Sequence, residues 1–138
     1  MSGTAQPPRV LVLHDESMMR PAVLIVEDDP ELRNMMDQLL HLEGFAPVTA
    51  VNGLDALRVL KSGLHVDVIL LDLMMPVMDG WTFRRAQRLD PELAHIPVIV
   101  LTAAANIRPD ELAAAAVFAK PLPFEAVLTT LRLHAAKH

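Results

Sequence analysis

Residues 22–44 read "AVLIVEDDPELRNMMDQLLHLEG", and this stretch decides the fold. Its first five residues are apolar without a break and rich in β-branched side chains, the pattern of a strand covered on both faces in a parallel sheet. Then the period changes. Leu32, Met35, Met36, Leu39 and Leu40 recur at i, i+3, i+4, i+7 and i+8, one apolar stripe of a helix. Asp29 suits the N-cap, Pro30 the first helical position and Gly44 the stop. Working outward, strands are predicted at 47–51, 66–71, 97–101 and 117–119. Helices are predicted over 53–63 and 80–89, as a shortened fourth within 108–116, and from Pro123 with Phe124, Val127, Leu128 and Leu131 on one face. Five β–α repeats joined by right-handed crossovers give an α/β fold: a doubly wound, five-stranded parallel sheet with helices on both faces.

A chain of 138 residues holds one domain at the usual ~100–200 residues per domain. With 52% hydrophobic and 21% charged residues it can build a core, which excludes a disordered tail. The absence of cysteine removes disulfides, thiolate zinc sites and a cysteine nucleophile. Twelve basic residues against 17 acidic ones, net −5, form no basic stripe of the kind nucleic-acid binding draws on, so no nucleic-acid partner is expected. Apolar runs fall short of the ~20 residues of a membrane helix, and the N-terminus lacks the order of a signal peptide. A cytoplasmic protein with no membrane partner is the expectation. Residues 1–21 read as a leader before a domain at 22–138. Its "VLVLHDES" faintly echoes "VLIVEDDP", and residues 9–13 are expected to add an edge strand or pack on a neighbouring chain.

In a doubly wound sheet the reactive groups belong at the carboxyl ends of the strands, near the reversal of strand order. Four loops there carry polar residues: Glu27, Asp28 and Asp29; Asp72; Thr102; and Lys120. Clustered carboxylates repel one another unless a cation intervenes, and an all-oxygen donor set suits a hard ion such as Mg2+. A lysine and a threonine hydroxyl across the pocket could hold phosphoryl oxygens. Aspartate is a covalent acceptor of phosphoryl groups, so the constellation reads as an aspartyl-phosphate site. Taken singly, each feature has an ordinary reading: an acidic turn, a strand-end threonine, a surface lysine. The six histidines fall at no metal-binding spacing, and the alanine run at 113–116 reads as helix propensity or close packing.

Four segments in order, "VLIVEDDPELR", "DVILLDLMMPVMDGW", "PVIVLTA" and "FAKPLPF", resemble the receiver domain of two-component response regulators over about residues 22–134. The resemblance implies the flavodoxin-like strand order 2-1-3-4-5. It implies that Asp72 accepts the phosphoryl group and that Glu27, Asp28, Asp72 and the backbone carbonyl of Met74 hold Mg2+. Thr102 would bond the phosphoryl group, the small Ala103 would keep the acceptor accessible, and Lys120 would pair with the phosphate. The Lys120–Pro121 bond would be cis. One departure concerns the switch: the aromatic residue common three places before the lysine is Val117 here, with Phe118 one place too late. The short fourth helix is the other.

The function so implied is not enzymatic. It is a Mg2+-dependent phosphoacceptor served by a histidine kinase or histidine phosphotransfer protein, which switches conformation to signal through a protein partner. The few residues after the last helix make a stand-alone receiver the expectation, with a phosphorylation-dependent homodimer as a second route for output. The alternative is a degenerate receiver acting as a phosphorylation-independent scaffold. A phosphohydrolase would want an acid where Met74 stands, and a nucleotide site would want glycines where "EDDP" stands.

Overall fold

The computed structural model describes residues 20–104 and 106–135; the expected extra strand at 9–13 lies outside them. Five parallel strands, β1 (Ala22–Val26), β2 (Ala46–Ala50), β3 (Val68–Asp72), β4 (Val98–Thr102) and β5 (Ala116–Ala119), lie in the order β2-β1-β3-β4-β5. Between and after them come α1 (Pro30–Leu42), α2 (Gly53–Lys61), α3 (Gly80–Leu89), α4 (Pro109–Leu112) and α5 (Phe124–Ala135). The strand order reverses at β1, which sets a crevice at the carboxyl ends of β1 and β3.

Alternation along the strands builds two cores. Val23, Ile25, Val68, Leu70, Ile99 and Leu101 face α1 and α5, where Met36, Leu40, Val127, Leu128 and Leu131 meet them. Leu24, Val26, Ile69, Leu71, Val98 and Val100 face the other way, against Ala56, Leu57 and Leu60 of α2, Phe83 of α3 and Leu112 of α4. The central strands β3 and β4 are buried along their whole length, so their last residues, Asp72 and Thr102, are buried as well.

The helix signals at 30–44 act as read. The Asp29 carboxylate accepts from the Glu31 N–H, Pro30 opens α1, and Gly44 takes the positive φ of +95° that turns the chain away. Of the two readings of the alanine run, helix propensity fails and close packing holds, with Ala114 against the α2–α4 core and Ala116 against the α1–α5 core. Helix α4 has only four residues, and Ala113 stops it in the left-handed region at φ 51°. Two forces override the helix propensity of alanine. Ala116 pairs with Ile99 as the first residue of β5, and the Arg84 guanidinium from α3 holds the Leu112 and Ala113 carbonyls at 2.9 and 2.8 Å. Arg84 also donates to Gln87 Oε1, and Gln87 Nε2 donates to the Leu93 and Ile96 carbonyls. This buried polar chain joins α3, α4 and the loop leading into β4.

Candidate functional site

The turn after β1 and the end of β3 meet in the crevice. One carboxylate oxygen each from Glu27, Asp28 and Asp72 lies within 4.8 Å of the others. Asp29, grouped with them in the sequence, is turned outward as the α1 cap and takes no part. Arg33, which sequence reasoning passed over, reaches back from α1 and donates to the Glu27 and Asp28 carbonyls at 2.9 and 3.2 Å, fixing the turn that presents the two acids. Only the reach of a first-turn helical arginine back to carbonyls five and six residues earlier could have signalled that.

Lys120 enters from the end of β5. Its Nζ lies 3.0 Å from Glu27 Oε1 and 3.6 Å from Asp72 Oδ2. Its backbone N–H donates to the Thr102 carbonyl, and the Lys120–Pro121 peptide is cis. Thr102 is 1% exposed, with Oγ1 accepting from the Ala104 N–H at 3.0 Å. Ala103 beside it is exposed. Met74 is 58% exposed and its N–H donates to Asp72 Oδ1 at 3.2 Å.

One ammonium does not balance these acids. Burial first, and the negative charge of Glu27 second, push the Asp72 carboxyl up to about 7, against the opposing pull of Lys120. Burial alone would lower the Lys120 ammonium, but its hydrogen bond to Glu27 and the charges of Glu27 and Asp72 hold it above its ordinary value. The site is short of positive charge, and its donors are all oxygen. That combination fits a hard divalent cation.

Two features of the surroundings escaped the sequence. Gly80, read as the start of a helix, is held by a close approach: a Cβ there would lie 2.7 Å from the Asp72 carbonyl oxygen. The start of α3 therefore rests directly on the strand that carries Asp72. On β5, Val117 packs with the α2–α4 core while Phe118 packs with the α1–α5 core. Successive strand residues point to opposite faces, so Phe118 cannot take the place of an aromatic at 117.

The sequence matches the profile of the response regulator receiver domain over residues 23–132. The chain belongs to this family. The receiver is 38% identical over 88 residues to the DNA-binding dual master transcriptional regulator RpaA of a Synechocystis species, covering 64% of this chain and 36% of RpaA. It thus spans a minority of the length of the curated relatives it matches. Its fold is shared with the chemotaxis response regulator CheY4 of Vibrio cholerae, at a TM-score of 0.74 and 30% identity over 83% of this chain and 98% of that one. A further solved relative is the Thermotoga maritima response regulator TrrA in complex with Mg2+-BeF, at a TM-score of 0.73 and 28% identity over 82% and 97% of the two chains. Receiver domains are signalling phosphoacceptors rather than enzymes in the ordinary sense. They bind Mg2+ through acidic residues and work with histidine kinases and phosphotransfer proteins. Among the described residues no helix is long and apolar enough to cross a membrane.

Proposed function

We propose that Asp72 is the phosphoacceptor of this receiver and that its phosphorylation requires Mg2+. The observation that carries the reading is the buried Asp72 carboxylate, grouped with Glu27 and Asp28 on one side and Lys120 on the other. In the transfer, the P–N bond of a donor phosphohistidine breaks, its electron pair stays on the imidazole nitrogen, and a P–O bond forms to an Asp72 oxygen. Glu27, Asp28, Asp72 and the Met74 carbonyl would hold Mg2+, which supplies positive charge against the carboxylates and the phosphoryl oxygens. Lys120 pairs with one phosphoryl oxygen. Thr102 gives its hydroxyl hydrogen to another, and Ala103 leaves the approach open. The Mg2+-BeF complex of TrrA supports the same assignment by likeness.

The donor is a histidine kinase or phosphotransfer protein of a cytoplasmic two-component system, and output passes to a downstream protein or through a phosphorylation-dependent homodimer. The domain occupies 22–138, with 1–21 as a leader. Val117 favours a second reading, a scaffold whose switch is weakened because no aromatic follows Thr102 inward. Incubation with acetyl phosphate and Mg2+, read by intact mass, separates them. Gain of one phosphoryl group by the wild type, absent in Asp72→Asn and without metal, is expected. No gain where another receiver is labelled overturns the phosphoacceptor reading.

A further inference from the structure

Helix α3 carries Arg84, Arg85 and Arg88 and no acidic residue, on a chain of net charge −5. The three have different fates. Arg84 is buried and spends its donors on Leu112, Ala113 and Gln87. Arg85 and Arg88 are exposed, and neither is in an ion pair among the described residues. Burial, and after it the charge of Arg88, lower the Arg84 guanidinium below its ordinary value. Like charges one turn apart work against a helix; the Asp79 carboxylate at the N-cap feels Arg85, but no ion pair engages Arg85 or Arg88 among the described residues.

These arginines line a groove of about 370 Å³ between α3 and the four-residue α4. Trp81 and Leu112 form its apolar wall and Leu89, 78% exposed, its lip. The acid on its rim, Glu111, is already paired with Arg108 at 3.6 Å. Arginine and tryptophan are the residues on which protein interfaces most often concentrate their binding energy. A long polyanion would feel the acidity of the whole chain. A short acidic segment, screened beyond about 10 Å, feels the local arginines. We infer that this groove is a docking site for an acidic segment of a partner protein. The segment would place carboxylates one helical turn apart against Arg85 and Arg88 and seat an apolar side chain between Trp81 and Leu89. The inference does not rest on the assignment of Asp72.

Trp81 is the chain's one tryptophan and reports directly on the groove. The probe is a short helical peptide with two glutamates one turn apart and a leucine beside them, titrated into the full chain. A lysine-for-glutamate counterpart, inorganic phosphate and a short DNA duplex run in parallel. Binding of the acidic peptide alone is expected, with a change in Trp81 fluorescence and an affinity that falls as salt rises. Arg85→Glu/Arg88→Glu should weaken it by ~10-fold or more, and Arg85→Lys/Arg88→Lys by much less. Arg85→Gln/Arg88→Gln, which should still bind less than wild type, covers the case in which the charge reversal does not fold. Failure of the acidic peptide to bind overturns the inference, as does equal binding by the variants or tighter binding of phosphate or DNA. Asp72 labelling by acetyl phosphate is read separately, so the two proposals fail independently.

Discussion

Replacing Asp72 by asparagine should make the metal-free protein more stable, and only above mildly acid pH. The unfolded chain releases the Asp72 proton near 3.8, the folded chain near 7. Between those values the folded state binds more protons, so its stability falls as pH rises. Three units at ~1.36 kcal/mol each set a ceiling of ~4 kcal/mol on the cost of ionising this carboxyl inside the fold. Glu27 shares the repulsion and Lys120 remains in place after the exchange, so about half of that, ~2 kcal/mol, should return in the variant. For a domain of this size that is a rise in Tm of roughly 8 °C at about pH 8, shrinking to nothing near pH 4. Thermal melts in EDTA across this pH range measure it. Millimolar MgCl2 should raise the wild-type melting temperature and leave the variant nearly unmoved. Parallel melting curves for the two proteins at every pH would refute the reasoning, because the strain would then not reside on Asp72.

Gly80→Ala should cost ~1–3 kcal/mol, since its Cβ meets backbone atoms of Asp72 and Leu73 at 2.7 Å, and urea unfolding together with slower acetyl phosphate labelling would register the displaced strand end. Val77→Asn should stabilise by ~1 kcal/mol: Val77 holds φ at 70° while 78% exposed, so a residue tolerant of that region relieves strain without losing packing. An unchanged denaturation midpoint would show that the loop relaxes around valine. Arg84→Met should lose ~2–3 kcal/mol, because the Leu112 and Ala113 carbonyls lose a charged donor, and hydrogen exchange should quicken at 112–116.

The fold was legible because a strand period gives way to a helical one between Ala22 and Gly44, and because β3 and β4 are apolar up to their last residues, Asp72 and Thr102. The candidate site was legible because its members sit at strand ends, where position in the chain nearly determines position in space. What stayed hidden depends on contacts between distant residues. The end of α4 is set by an arginine 28 residues earlier, which no local propensity of alanine could reveal. The exclusion of Asp29 from the acid cluster follows from its competing role as a cap. Strand alternation alone separates Val117 from Phe118, but which core each one joins was not legible. The charge of α3 was visible as three arginines, but not that one is buried and that two form no ion pair among the described residues.

The chain of buried hydrogen bonds from Leu112 through Arg84 and Gln87 to Ile96 includes no residue of β4. It ties the segment entering β4 to the segment that follows its exit, so the strand is held at both ends by one helix. A displacement of α4 would load α3 and, through Gln87, the loop at the opposite pole of the sheet from the acids. The expected consequence is correlated hydrogen exchange: the amides of Leu93 and Ile96, about a strand's length from Thr102, should slow or quicken in step with those of α4.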